Sequence, residues 1–224
     1  MVKAIIFDVD GTLLDTERIY MRAWLEAGAL FGYMIPDEAL LKTRAVNAKT
    51  AAACFKEFCG SEFPYETIRK ERERISERII EETPGQGLLM PDAQETLKWL
   101  KEQGYMLAAA SSTCYEKTVS HLEHAGLLQY FAVLVGGDMV MHGKPEPDVF
   151  LKAAALLQVK PEECLVVGDT PADVLGGTSA GIPVVLIPDQ VPANAKTTAL
   201  SIQILNGLSD LPDTVKKVDL CSRS

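Results

Sequence analysis

Ala4-Ile5-Ile6-Phe7-Asp8-Val9-Asp10-Gly11-Thr12 is the stretch from which the rest of the chain is read. Its first four residues form an apolar run without polar alternation, the pattern of a strand buried on both faces of a parallel sheet. The run passes straight into two aspartates one residue apart, so both carboxylates fall at the carboxyl end of that strand, where open α/β sheets bind ligands. A strand period of two directs Asp8 and Asp10 to the same side, and Gly11 lets the chain turn away without a Cβ clash. Like charges this close need a cation, a proton or several backbone donors to offset their repulsion. A loop that merely caps a helix needs one carboxylate. Two of them after a wholly apolar strand point to a reactive site.

The 224 residues suffice for one large domain or for a domain with a modest insertion. A formal net charge of −9 argues against a nucleic-acid footprint and against an anionic membrane surface. No apolar run approaches the ~20 residues of a membrane span, and the first strand starts too early to leave room for a signal peptide. Cys54, Cys59, Cys114, Cys164 and Cys221 show no CxxC pairing and read as reduced thiols packed as small hydrophobes. The cytoplasm is the expected compartment, and no feature of the sequence specifies an oligomeric state.

Over residues 16–85 strand patterns vanish and helical spacing takes over. Tyr20, Trp24, Ala27 and Phe31 should form one apolar stripe, and Ile68, Ile75 and Ile79 another, within a charged helix over residues 65–82. Residues 48–58 read as a further helix with Asn47 at its N-cap, and Pro84-Gly85-Gln86-Gly87 is a breaker. Beyond Pro91 helices (residues 91–103, 115–125, 147–157 and 171–180) alternate with strands (106–110, 132–135, 164–167 and 184–187), and a short edge strand is expected at 202–205. Repeated βα units mean a parallel sheet with helices on both faces. The expected fold is α/β: a doubly wound, Rossmann-like parallel-sheet core over residues 1–15 and 86–224, interrupted by a helical-bundle cap over residues 16–85. An insertion that leaves from the first strand's own loop suits a lid.

Each later strand also ends in useful polar groups. Ser111, Ser112 and Thr113 can hold anionic oxygens, Lys144 lies in Gly143-Lys144-Pro145-Glu146-Pro147-Asp148, and Asp169 and Asp173 follow the strand at 164–167. Taken singly, each has a plain explanation as a cap or a solvated loop residue; together they would be four coincidences at four strand ends. Converging carboxylates suit a hard cation, and Mg²⁺ needs few of them. With a lysine and hydroxyls to meet a phosphoryl dianion, the residues describe aspartyl-phosphate chemistry. GxxxxGK[ST] does not occur, so no P-loop nucleotide site is indicated.

Asp8-Val9-Asp10-Gly11-Thr12, Ser111, Lys144 in Gly143-Lys144-Pro145, and Gly168-Asp169-Thr170-Pro171-Ala172-Asp173 resemble, in order and spacing, the motifs of the haloacid dehalogenase-like (HAD) hydrolase superfamily, over nearly the whole chain. The insertion is similar to that superfamily's C1 cap. Leu13-Leu14-Asp15-Thr16-Glu17 resembles the branch that holds β-phosphoglucomutase and small sugar-phosphate and nucleotide phosphatases, and residues 14–20 and 142–148 are similar to pseudouridine-5′-phosphatase. The resemblance implies that Asp8 attacks phosphorus and that Asp10 protonates the leaving oxygen and then takes a proton from water. It implies Mg²⁺ held by Asp8, the Asp10 carbonyl and Asp169, with Asp173 behind them. Ser111 and Lys144 would hold the phosphoryl group, Lys144 would also restrain Asp8, and Thr16 would lie in the cap hinge.

Departures from the family's patterns narrow this. Asp10 argues against halide chemistry and against phosphonatases, which lack an aspartate there. β-Phosphoglucomutase-like members carry a histidine where Tyr20 stands, and Arg44, Asn47 and Lys49 are the nearest polar counterparts of their arginine-bearing cap loop. Tyr20, Arg44, Asn47 and Lys49 are therefore the expected specificity residues. His121 and His124 are expected on a helix surface and His142 in a loop. The expected function is a Mg²⁺-dependent phosphatase of a small phosphorylated metabolite, a sugar phosphate or a nucleotide-related one. Two alternatives stay open: a phosphomutase of the same branch, and a phospho-aspartate signalling receiver that keeps its phosphoryl group.

Overall fold

In the computed structural model, residues 1–43 and 48–221 are described. Strand β1 (Ala4–Phe7) has no exposed residue, as its apolar run requires. It lies inside a six-stranded sheet with β2 (Met106–Ala110), β3 (Val133–Val135), β4 (Cys164–Gly168), β5 (Val184–Leu186) and β6 (Gln203–Ile204), in the order β3-β2-β1-β4-β5-β6. Every pairing is parallel, so all carboxyl ends share one edge, and the strand order reverses between β1 and β4, where such sheets bind ligands. Phe7 pairs with Ala109 on one side and Val167 on the other. That register brings the residues after β1, β2 and β4 level with one another.

The pleat divides β1 between two faces. Ala4 and Ile6 join a buried cluster with Val149, Phe150, Ala153 and Val166, four residues that include the inner face of helix α7 (Asp148–Leu157). Ile5 and Phe7, out of phase with them, supply the opposite face. The chain divides into two compact units, Met1–Asp15 with Gly85–Ser224, and Thr16–Pro84. In the second, α1 (Thr16–Leu30), α2 (Asp37–Lys42), α3 (Ala48–Cys59) and α4 (Tyr65–Glu82) enclose an aromatic core. Trp24 meets Phe55 at 4.5 Å between ring centroids, and Phe55 stacks on Phe63 at 5.3 Å.

Several expectations need correction. Phe31 is not on the buried stripe: α1 stops at Leu30, and Phe31 is exposed as the chain turns through Gly32 at φ +78°. α5 (Ala93–Glu102) starts two residues later than expected, because Asp92 holds a left-handed φ of 62° that no helix accommodates. His121, expected at the surface, is buried on α6 (Tyr115–His124) beside Thr118 and Leu122, because Thr118 and His121 are one turn apart on its inner face. The helices α8 (Pro171–Ser179), α9 (Ala195–Leu200) and α10 (Leu211–Cys221) complete the first unit; α2, α9 and α10 were not anticipated. α10 is anchored by Asp219, whose carboxylate accepts from the Val2 amide at 2.7 Å and the Tyr105 hydroxyl at 2.6 Å. Cys54, Cys59, Cys114 and Cys164 are free thiols. Among the described residues no helix is long and apolar enough to cross a membrane.

Candidate active site

The loop after β1 is shaped by its backbone. The Asp8 amide donates to the Val167 carbonyl at 2.8 Å, extending the β1–β4 ladder by one residue, while the Leu13 and Leu14 amides both return to the Val9 carbonyl at 3.0 Å. This tight turn needs Gly11 at φ +86°, and a Cβ there would meet Asp169 Oδ2 at 2.5 Å. Gly11 therefore serves twice, as the left-handed turn residue and as space for a carboxylate. Thr12, buried, donates its hydroxyl to Asp169 Oδ1 at 3.1 Å, with Asp8 Oδ2 at 3.5 Å. It bridges the aspartates that follow β1 and β4.

Lys144 is the centre of charge. Its side chain is 4% exposed, and its ammonium donates to Asp8 Oδ1 and to the Ala110 carbonyl at 2.8 Å, with Asp173 Oδ1 at 2.7 Å. Asp173 is fixed from the other side. Its Oδ2 accepts from the Thr170 amide at 3.1 Å and the Thr170 hydroxyl at 2.6 Å, a capping box that starts α8 behind Pro171. Asp8, Asp169 and Asp173 are all buried and offer oxygens within 4.8 Å of one another. Three carboxylates against one ammonium leave a deficit of positive charge that a divalent cation or a proton offsets. Burial pushes the Asp8 carboxyl up to about 8, with Asp173 and Asp10 adding to the rise and Lys144 opposing it. Burial alone would lower the Lys144 ammonium, but Asp173 and Asp8 outweigh it and hold its pKa above the ordinary lysine range.

Asp10 belongs to a second, more open group. Its Oδ2 accepts from the Ser111 hydroxyl at 3.2 Å and the Thr113 hydroxyl at 3.0 Å, and Ser111 Oγ in turn accepts from the Thr113 amide at 2.9 Å. Ser112, between them, is exposed. The structure thus draws Asp8, Lys144, Asp169 and Asp173 into one buried cluster, and Asp10, Ser111 and Thr113 into an adjoining network. Thr16 is the buried first residue of α1. Tyr20 is half-buried on α1 and Lys49 is exposed on α3, both in the helical unit. Arg44 and Asn47, the other expected specificity residues, lie outside the described residues. Three contributors escaped the sequence reading: the hydroxyls of Thr12 and Thr170, and the carbonyl of Ala110. Thr170 carried a usable signal, since Thr-x-x-Asp before an apolar run is a capping box. A main-chain carbonyl carries none.

The donor set suits Mg²⁺ by its chemistry: hard carboxylate oxygens, few in number, buried and close together. Thr12 and Thr170 orient Asp169 and Asp173 from behind, as ligand sets require.

A family model described as haloacid dehalogenase-like hydrolase matches residues 2–181. The phosphorylated carbohydrates phosphatase of Thermotoga maritima is 30% identical over 185 residues, covering 81% of this chain and 82% of that one. A Drosophila melanogaster protein named "Probable pseudouridine-5′-phosphatase" is 30% identical over 211 residues, covering 92% of this chain and 89% of its own. Among solved structures, a variant of CbbY from Rhodobacter sphaeroides in complex with xylulose-(1,5)-bisphosphate superposes with a TM-score of 0.78 at 26% identity, covering 94% of this chain and 96% of that one.

Proposed function

This chain belongs to the haloacid dehalogenase-like hydrolases, and from that premise we propose a Mg²⁺-dependent phosphatase that hydrolyses a small phosphorylated metabolite, a sugar phosphate or a related ester, through an aspartyl phosphate. The observation that carries this reading is Lys144 held between Asp8 and Asp173 beside Asp169. The named phosphatases among the relatives support it, and a hydrolase family sets aside the signalling-receiver alternative.

Asp8 is the nucleophile. Its Oδ1 is bound by Lys144 and its Oδ2 is the freer oxygen, with Thr12 at 3.5 Å; the attacking oxygen forms a bond to phosphorus as the bond to the leaving oxygen breaks. Asp10, half-buried and oriented by Ser111 and Thr113, gives its proton to the leaving alkoxide. In the second half, its carboxylate takes a proton from the water that attacks phosphorus, and Asp8 departs as a carboxylate. Lys144 meets the charge on the phosphoryl oxygens while restraining Asp8. Asp8 and Asp169 would hold Mg²⁺, with the Asp10 carbonyl. Asp173 already gives one oxygen to Thr170 and the other to Lys144, so it stands behind them. Bound there, the ion would screen the phosphoryl dianion from the carboxylates. The helical unit, inserted directly after the Asp8–Asp10 loop in the chain, acts as the cap, with Thr16 at its hinge.

Asp8→Asn should abolish Mg²⁺-dependent hydrolysis of p-nitrophenyl phosphate, while Asp10→Asn should still accept a phosphoryl group but turn over at least ~10²-fold more slowly. Full activity in Asp8→Asn would refute the proposal. Incubation with β-glucose 1-phosphate and a bisphosphate primer separates the phosphomutase alternative, since a mutase makes glucose 6-phosphate without stoichiometric phosphate release.

A further inference from the structure

The segment after β3, Gly136-Gly137-Asp138, lies against the loop that carries Ser111 and Thr113. Hydrogen bonds join the two in step. The Ser111 amide donates to the Val135 carbonyl at 3.0 Å, the Gly137 amide to the Thr113 carbonyl at 2.9 Å, and the Tyr115 amide to Asp138 Oδ1 at 2.7 Å. They continue the β2–β3 ladder past the ends of both strands. The contact is backbone against backbone. A Cβ on Gly137 would stand 2.4 Å from the Ser112 carbonyl oxygen, and one on Gly136 would stand 2.2 Å from the Tyr115 nitrogen. Only glycine allows so close an approach.

Of these bonds only the last uses a side chain. Tyr115 opens α6, and Cys114 before it makes no side-chain cap bond. Asp138, from a different segment, thus satisfies an amide that the helix itself leaves open. What it holds in place bears on catalysis. The Ser111 and Thr113 hydroxyls both donate to Asp10 Oδ2, which directs the proton that Asp10 transfers to its other oxygen. A shift of the 111–115 loop therefore reaches the acid–base group through those hydroxyls. We propose that Asp138, seated by the close approach at Gly137, is a positioning residue for Asp10: it fixes the loop whose hydroxyls aim the leaving-group proton. This deepens the phosphatase reading above and rests on it.

Leaving-group basicity separates a misplaced acid from a general loss of folded enzyme. p-Nitrophenolate leaves with little help, whereas the more basic phenolate gains from protonation. The test takes kcat/KM of the full-length protein with Mg²⁺ for phenyl phosphate relative to p-nitrophenyl phosphate. That ratio should fall at least about fivefold in Asp138→Ala, a part of the ~10²-fold that a positioned acid supplies. Gly137→Ala, which pushes on the Ser112 carbonyl, should lower it in the same direction. Asp138→Asn keeps an acceptor oxygen and should hold the ratio near the wild-type value. A ratio untouched by Asp138→Ala, as when both substrates fall together, overturns the inference while leaving the phosphatase standing. So does a fall in Asp138→Asn as deep as in Asp138→Ala. Should Gly137→Ala not fold, the Asp138 variants, at an exposed position, carry the comparison. A second readout needs no turnover. The Thr113 amide, bonded to Ser111 Oγ at 2.9 Å, should exchange its hydrogen several-fold faster in Asp138→Ala than in wild type or Asp138→Asn. Equal exchange in every form overturns the coupling of Asp138 to the loop even if no phosphate ester is hydrolysed.

Discussion

Lys144 answers two carboxylates with one ammonium, and its loss should be felt twice. Lys144→Met leaves Asp8 and Asp173 buried with no counter-charge, a change that typically costs about 3–5 kcal/mol. Urea denaturation at neutral pH should show that loss, and steady-state kinetics should show kcat lower by about 10²–10³-fold, as when a preorganised donor is removed. A variant as stable and as active as wild type would place Lys144 outside the site. At this scale the sequence singled out Asp8, Asp10, Lys144, Asp169 and Asp173, and the structure brings Asp8, Lys144, Asp169 and Asp173 into one buried cluster. It was silent on Ala110, whose carbonyl holds Lys144, because a backbone acceptor has no residue type. Ser112, expected to act with Ser111 and Thr113, is exposed while those two turn their hydroxyls to Asp10.

The elements owe their positions to patterns of unequal clarity. β1 is buried on both faces, so its four apolar residues announce it, and Phe7→Ala should destabilise the protein by about 3–5 kcal/mol; chemical denaturation that showed less than 1 kcal/mol would contradict the burial described. α8 depends on its capping box. Thr170→Ala removes the hydroxyl that Asp173 accepts and should cost about 0.5–2 kcal/mol in the same assay. It should also lower activity, since Asp173 would keep only the Thr170 amide of the two donors that aim it at Lys144. α10 was missed because its apolar residues are spread among charges and its anchor, Asp219, bonds to Val2 and Tyr105, more than a hundred positions away in sequence. Phe31 and His121 failed for related reasons. Periodicity finds a stripe but not where the helix stops, and a histidine's place on α6 depends on which face the sheet requires.

For the molecule as a whole, the deficit of positive charge links stability to metal and to pH. The native Asp8 carboxyl is raised to about 8 from an unfolded value near 3.8, so without metal the native state keeps a proton that the unfolded chain releases. That contribution is fully present below pH 3.8 and is lost as pH rises through about 8. Mg²⁺ must displace the proton, so its stabilisation should grow with pH over that window. Thermal melts with Mg²⁺ or EDTA between pH 5 and 8 should diverge as pH rises, and a Tm gain from Mg²⁺ that is the same at both ends would contradict the charge assignment. The doubly wound sheet and its helical insertion were legible because a short apolar run gives way to helical spacing after Asp15, and apolar runs alternating with helices return beyond Pro91. The meeting of Trp24, Phe55 and Phe63 was not, because it joins residues far apart in the chain whose packing no local pattern encodes.

The central claim is that Asp8 becomes covalently phosphorylated during turnover. Acid quenching of the Asp10→Asn protein, mixed with Mg²⁺ and a phosphate ester, followed by peptide mass spectrometry, tests it most directly. The account predicts one phosphoryl group on the peptide from the N-terminal strand, located at Asp8 and absent when Asp8 is also changed to Asn. Hydrolysis by the wild type with no phosphoryl group ever trapped on that peptide, or with one that survives the Asp8→Asn change, would contradict it.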